Sequence, residues 1–417
     1  MFHPHRFLTA ILMAGTGIAM AGCGDNPTSL TSPESAQPAA ASLVAATLSF
    51  TRVSVGGYHT CGLTSGGGIY CWGKNEYGQL GDGTHSRRTV PTPVSGGGLV
   101  FVEVSAGTNH TCGLTTQNRV YCWGNNEGGR LGDGTALDRT VPTAVGGGRR
   151  FVGVRAGTLH TCAVNQFNAG FCWGSGRFGE LGTDPTTQQT LPARVLGGHA
   201  FRRVVAGGGF TCGVTTTDKA YCWGYNLDAE LGDGTYRNRS KPVPVSGGLS
   251  FRQVVAGGGD ISDAQGDEVD PGHACGVTTD RRAYCWGYSS SGQLGNGIRD
   301  GGVTNPVAVR GGLLWNQVIP GLNHTCGVTT TNLAYCWGLN GSGELGISGG
   351  PGRGVASPTR VAGGLRFSGV STGPGGSHTC GITTENRIYC WGYNGFGQLG
   401  DGTLTNRSTP VKVVGQP

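Results

Sequence analysis

Seven times the chain returns to one pattern, Cys, nine residues, then Cys-Trp-Gly, beginning at Cys61, Cys112, Cys162, Cys212, Cys275, Cys326 and Cys380. Self-similarity at a period of about fifty residues marks one supersecondary unit copied in series, and a unit of that length made of strands is a propeller blade. The stretch Phe101 to Val145 shows the unit: Phe101-Val-Glu-Val-Ser-Ala-Gly, Asn109-His-Thr-Cys-Gly-Leu, Arg119-Val-Tyr-Cys-Trp-Gly, Arg130-Leu-Gly-Asp-Gly-Thr and Val141-Pro-Thr-Ala-Val145. Its apolar runs are short, punctuated by Gly, Asn and Asp, and show no helical period, so each reads as a strand of a small twisted sheet. The other units open at Phe50, Phe151, Phe201, Phe251, Trp315 and Phe367. The expected fold is all-β, a seven-bladed β-propeller over 49–417 with repeats 50–100, 101–150, 151–200, 201–250, 251–313, 314–366 and 367–417. Glycine, at 82 residues, would suit a disordered chain, but evenly spaced Phe, Val, Leu, Tyr and Trp argue for packed repeats.

The two cysteines of a unit are symmetric about a turn. Counting inward from Cys112 and Cys122, Leu114 faces Val120 across a turn near Thr116 to Asn118. Opposed residues at a non-hydrogen-bonded position of an antiparallel hairpin are near enough for a cross-strand bond. The predicted disulfides are Cys61–Cys71, Cys112–Cys122, Cys162–Cys172, Cys212–Cys222, Cys275–Cys285, Cys326–Cys336 and Cys380–Cys390. The alternative makes His110, Cys112 and Cys122 metal ligands, and likewise in other units. Zinc wants ligands converging from different elements, so no metal and no cofactor is expected.

Loop lengths suggest which strands share a sheet. Val94 to Phe101 is a short link and Trp72 to Pro91 a long one, so the Pro-x-x-Val strand is expected to open the following blade. The first blade would then lack a strand. Pro410 to Val414 would supply it, so that the terminal strands close the ring, with Leu43 to Leu48 as the competing supplier. Closure hides sheet edges that otherwise template aggregation.

Residues 1–22 read as an export signal: His3, His5 and Arg6, an apolar stretch from Phe7 to Met20, then Met20-Ala21-Gly22-Cys23. That ending resembles the lipobox of bacterial lipoproteins, with Met20 where Leu is usual, and implies a lipid on Cys23 and a membrane anchor. An ordinary secretory signal with an incidental cysteine is the alternative. Of 15 cysteines all but Cys23 fall in the seven pairs, and regular pairs belong to an oxidising compartment. Residues 23–48, rich in Ser, Pro, Ala and Thr, read as a flexible tether with a reach of roughly 25–30 Å. Net charge is +6, with no dense basic run, so nucleic-acid binding is not expected, and the body is expected to be a monomer.

Gly107-Thr-Asn-His110-Thr, followed by Trp123-Gly-Asn, Leu131-Gly-Asp-Gly-Thr and Pro142, resembles the repeat of the regulator of chromosome condensation family, and the resemblance recurs from about residue 50 to 414. It implies a seven-bladed propeller. That family includes a nuclear guanine-nucleotide exchange factor and a secreted enzyme inhibitor, beta-lactamase inhibitory protein II. Cysteine at position 112 and its equivalents replaces the aliphatic residue usual there, which implies a disulfide-stapled exported branch. Phe210 replaces the repeat histidine of the fourth unit, and Asn165 to Gly170 is expected to disturb the hairpin of the third.

Among candidate residues, His59, His110, His160, His273, His324 and His378 recur in one register, as do Trp72, Trp123, Trp173, Trp223, Trp286, Trp337 and Trp391. One per unit in fixed register marks residues that hold turns or pack between blades rather than a catalytic set. Asp82, Asp133, Asp233 and Asp401 precede Gly singly, and a calcium loop needs several acids, so they read as turn residues. The insertion between Gly257 and His273 departs from the repeat and carries Asp260, Asp263, Asp267, Glu268 and Asp270 with no Lys or Arg; it is the candidate binding loop, with a solvated surface loop as the plainer reading. Ile347 to Ser357 is a weaker candidate. No nucleophile-base pair or phosphate cradle is legible, so the expected function is a non-catalytic, exported binding or scaffold propeller recognising an unknown protein or glycan through loops. The alternatives are an enzyme inhibitor, which the resemblance implies, or an extracellular lyase or glycan hydrolase. Nucleotide exchange on a nuclear GTPase does not fit an exported chain.

Overall fold

The computed structural model describes residues 48–183, 187–258 and 272–417. Among these, seven four-stranded antiparallel sheets follow one another along the chain, giving the seven-bladed propeller. In the first, β1 (Phe50–Val55), β2 (His59–Thr64), β3 (Ile69–Gly73) and β4 (Arg88–Pro93) lie side by side in chain order. The same order recurs in blades spanning Phe101–Ala144, Phe151–Arg194, Phe201–Pro244, Phe251–Ala308, Trp315–Arg360 and Phe367–Lys412.

Each blade is therefore one repeat, which corrects the expected partition of strands. The Pro-x-x-Val strand does not open the next blade: β4 pairs with its own β3, Tyr70 opposite Pro93 and Cys71 opposite Thr92. The long excursion between them is a compact knot rather than a crossover. Asn75 Nδ2 donates to Asp82 Oδ1 and to the carbonyls of Thr84 and Ser86, while Asn75 Oδ1 accepts the Leu80 amide at 2.9 Å. The knot returns Arg88 beside Gly73. For the same reason no terminal strand is exchanged to close the ring. Arg407–Lys412 pairs with Ile388–Gly392 of its own blade. Blades one and seven meet by packing, with Phe50, Val55 and Trp72 sharing a core with Cys380, Ile382, Ile388 and Leu399. Hydrogen bonds across the same seam include Leu48 N to Gly415 O at 2.9 Å, Gly402 N to Thr89 O at 3.0 Å and Trp72 Nε1 to Gln398 O at 2.9 Å.

The cores lie between blades. Cys61, Leu63, Ile69, Cys71 and Leu80 of blade one pack against Phe101, Val104 and Trp123 of blade two. Phe101 lies over Gly113, where a Cβ would come within 2.6 Å of its ring, and its centroid is 6.2 Å from that of Trp123. Trp123 in turn covers Gly81 of the preceding blade, whose φ of +70° and lack of Cβ permit the approach. All seven repeat tryptophans are fully buried.

Cys112 faces Cys122 and Leu114 faces Val120, with Asn118 at φ 61° closing the hairpin. Contrary to expectation, Asn165 to Gly170 leaves the third hairpin in register: Cys162 faces Cys172, and Asn168 adopts φ 60° as Asn118 does. Seven disulfides, each joining Cα atoms 4.0 or 4.1 Å apart, bind the facing pairs.

Candidate binding surfaces

The recurring histidines bolt blade to blade. His59 Nε2 lies 2.8 Å from Thr111 Oγ1, and the same bond runs from His110 to Thr161, His160 to Thr211, His273 to Thr325, His324 to Thr379 and His378 to Thr60. The Thr111 hydroxyl proton is already donated to the Gln79 carbonyl at 2.8 Å, so His59 Nε2 must carry the hydrogen it shares with Thr111. Burial pushes the His59 imidazole down to about 3, which keeps the ring neutral. At the fourth repeat, Phe210 stands for His, and the partner position in blade five is Ala274 rather than Thr. The two are buried in one apolar cluster. Donor and acceptor are lost together, so no polar atom is stranded.

The single aspartates are turn residues. Asp82 accepts the amide and hydroxyl of Thr84 at 3.0 and 2.8 Å and pairs with Arg88 at 2.8 Å. Burial resists its ionisation, but Thr84 and Arg88 more than offset this and hold the carboxyl below its ordinary value. Asp133, Asp233 and Asp401 repeat the arrangement with Arg139, Arg239 and Arg407. Among the described residues no group of three His, Cys, Asp or Glu is placed to hold a metal ion, and no helix is long and apolar enough to cross a membrane.

Cys23 and the acidic residues Asp260, Asp263, Asp267, Glu268 and Asp270 lie outside the described residues. The flanks of the acidic stretch do not. Gly258 N donates to Gly321 O, one of a series of backbone bonds between blades that includes Gly57 to Gly107, Thr108 to Gly157, Thr158 to Gly207 and Gly208 to Gly257. These bonds form a hub at the end of the ring where first strands turn into second strands. Repeat seven adds to it: the Pro374 carbonyl accepts the Thr108 hydroxyl at 3.0 Å, and Gly375 N donates to Gly258 O at 3.1 Å. Thr108 and Gly258 belong to blades two and five, neither adjacent to blade seven, so this segment crosses the ring axis.

The same face carries an aromatic cluster at the seam of blades seven and one. Lys74 Nζ lies 5.5, 5.9 and 5.3 Å from the ring centroids of Tyr58, Tyr77 and Phe396, and Tyr58 meets Phe396 edge-on at 5.4 Å. All four side chains are half-buried. At the Tyr77 position blades two, four, five and six carry Gly128, Asp228, Ser291 and Ser342; blade three carries Phe178, which meets Tyr225 edge-on at 5.3 Å, but the lysine shared by three rings is found at this seam. Ile347 to Ser357 leads elsewhere, into the fourth strand of blade six, Gly352–Arg360.

The ring axis encloses a cup of about 660 Å³ lined by first strands, with Pro374 among its lining residues. Arg52, Glu103 and Arg203 line it from the third position of their first strands, and Arg155, Val205, Val255 and Ile319 from the fifth. Arg155 ion-pairs with Glu103, which also accepts the Val154 amide at 3.1 Å. The facing Arg155 charge, together with desolvation, pushes the Arg203 guanidinium down to about 9, with Glu103 pulling the other way. Neither the aromatic cluster nor these arginines stand out in the linear sequence. Aligning the third residue of each first strand, where Arg52, Glu103 and Arg203 sit, would have exposed the latter.

Fold and surfaces together define a disulfide-stapled propeller whose departures from repeat symmetry gather at the hub and in the axial cup. Two sequence profiles, both described as the Regulator of chromosome condensation (RCC1) repeat, match it, one over 66–114, 117–164, 171–214 and 385–417, the other over 50–79, 101–130, 201–228, 271–293, 321–344 and 370–398. The chain belongs to the RCC1 repeat family. It is 29% identical over 365 residues to the ultraviolet-B receptor UVR8 of Arabidopsis thaliana, covering 87% of this chain and 69% of UVR8. It is 35% identical over 97 residues to the probable E3 ubiquitin-protein ligase HERC4 of Homo sapiens, which is 23% of this chain and spans only 9% of HERC4. Among solved structures, Prp20p of Saccharomyces cerevisiae matches with a TM-score of 0.72 at 20% identity over 84% of this chain and 87% of that one. Human WBSCR16 matches with a TM-score of 0.72 at 19% identity over 83% of this chain and 94% of that one.

Proposed function

We propose that the chain is an exported, non-catalytic binding propeller that recognises a protein partner through the hub-face loops. The observation that carries this is convergence. The flanks of the acidic insertion, the crossing segment of repeat seven and the Tyr58–Lys74–Tyr77–Phe396 cluster all lie on the face formed by the turns between first and second strands. A rigid ring with its irregular loops on one face is a scaffold presenting a surface, and aromatic residues with a cation are the kind of anchor that dominates interface energetics. The related propeller Prp20 has been solved bound to Kap60, and binding of Prp20p to Gsp1p and histones is described, which supports protein recognition as the class of function. Seven disulfides and the leftover Cys23 support export and a lipid anchor. The test is capture of cell-surface proteins and of glycans by the wild-type chain, by Tyr58→Ala/Phe396→Ala and by a chain lacking 260–270. A protein retained by wild type and lost from either variant supports the reading. A glycan retained in its place, or a partner held equally by all three, overturns it.

A further inference from the structure

We propose that the axial cup binds an organic anion, with a carboxylate or phosphate head on Arg52 and Arg203 and an apolar body against Val205, Val255 and Ile319. The ring is built from like residues in like places, as the histidines and tryptophans show, yet the cup wall is not. Three guanidiniums face one carboxylate there, and that carboxylate is committed to Arg155 and the Val154 amide. Among the described residues Arg52 and Arg203 make no hydrogen bond and no ion pair. Ser54, Ser105 and Ser371 also line the cup, and each Oγ accepts a backbone amide, of Ala106, Ala156 and Val55 respectively, which leaves its own hydroxyl proton to donate. The wall thus has an excess of donors and of positive charge, and like charges at close range in a partly desolvated site repel strongly. An anion with several acceptor oxygens relieves both. Arginine suits the role because its planar fork meets a carboxylate or phosphate with two parallel bonds. The apolar lining of Val205, Val255 and Ile319 makes an inorganic ion alone an incomplete fit, and the volume of about 660 Å³ lies in the range of small-molecule sites. The arginines, serines and apolar residues of the cup all come from first strands, and the hub segment reaches it at Pro374, so the anion site does not rest on a partner at the hub face.

The head could belong to a free small molecule or to an acidic segment of a protein, and titration calorimetry at low salt separates the two. The probes are inorganic phosphate, hexanoate and a blocked tetra-glutamate peptide. We expect saturable one-to-one binding of at least one probe. Arg203→Gln and Arg52→Gln should each weaken it roughly ten- to a hundredfold, the size of a lost charge-assisted hydrogen bond. Gln253→Glu, which adds a carboxylate to the wall without changing its shape, should abolish it. Arg203→Lys should retain part of it. Unchanged circular dichroism of the variants shows that they fold, and Arg52, being exposed, is the substitution least able to disturb the fold. Binding of hexanoate or phosphate identifies a free anion, and binding of the peptide alone identifies a protein segment. No saturable binding of any probe by about 10 mM, far weaker than a ligand site of this size should show, overturns the proposal. Binding untouched by Arg203→Gln and Gln253→Glu overturns it equally.

Discussion

Glu180→Gln should stabilise the protein at neutral and alkaline pH while leaving it almost unchanged near pH 5. Glu180 is fully buried, and its Oε2 accepts the Phe178 amide at 2.7 Å. Other blades place glutamine there and make the same bond, Tyr77 N to Gln79 at 3.0 Å, Ser291 N to Gln293 at 2.9 Å and Phe396 N to Gln398 at 3.0 Å, so the substitution asks nothing new of the backbone. Burial pushes the Glu180 carboxyl up from 4.5 to about 7, with the Phe178 amide and Ser175 among the groups pulling the other way. Because the folded value is the higher one, the folded chain keeps a proton that the unfolded chain releases. The contribution is fully present below 4.5 and is lost as pH rises through 7. A gap of about 2.5 pKa units corresponds to roughly 3 kcal/mol lost by pH 8 and under about 1 kcal/mol by pH 5. Glutamine has no proton to lose and escapes the penalty. Guanidinium unfolding with disulfides intact, at pH 5 and pH 8, should show the variant and wild type close together at the lower pH and clearly separated at the higher. A separation of equal size at both pH values would refute the reasoning, since it would mean that packing, not ionisation, distinguishes the two side chains.

The histidine belt acts in the other direction. His59, His160, His273 and His378 are pushed down to about 3 by burial, so their contribution is present above about 6.5 and is lost as pH falls towards 3, and melting temperature should drop steadily across that window. Phe210→His and Ala274→Thr should each cost about 1–3 kcal/mol alone, through a stranded donor or hydroxyl, and recover most of that together by rebuilding the bond the other blades make; a double-mutant cycle by denaturant unfolding reads the coupling. Replacing Cys112 and Cys122 together by Ser should cost about 2–3 kcal/mol, the chain-entropy value for so short a loop, measured as a shift of the unfolding midpoint. Gly132→Ala should cost about 2–4 kcal/mol, because φ there is +71° and a Cβ would come within 2.5 Å of Trp173 Nε1; the same unfolding midpoint measures it.

How much of this was legible in the sequence depended on whether a residue repeats in phase. The cysteines, the tryptophans and the histidines recur at one register, and that periodicity carries blade number, hairpin register and the facing cysteine pairs. The partition of strands was not legible, because residue count is a poor measure of distance when one side chain folds a loop upon itself. Asn75 and its equivalents Asn126, Asn226 and Asn394 do this with the same amide bonds each time, and so bring the fourth strand home. The arginines of the cup were illegible for the opposite reason, since a position occupied by Arg52, Glu103, Gly153, Arg203 and Gln253 in turn reads as a tolerant site along the chain.

Ring geometry distinguishes two kinds of departure from a repeat. Phe210 departs and Ala274, far away in sequence but adjacent across the blade seam, departs with it, so the pair restores a satisfied interior and needs no ligand to explain it. Glu103 and Arg155 are a second such pair, joined through neighbouring first strands. Arg203 departs with no acid on either adjoining first strand, which carry Gly153 and Arg155 on one side and Gln253 on the other, and the one acid beside Arg52, Glu103 of blade two, is already paired with Arg155. In a closed ring every interior position has both neighbours fixed, so a departure that its neighbours do not answer must be answered by something that enters the cup. That asymmetry, more than the charge itself, is why the axial arginines rather than the histidine belt point to a ligand.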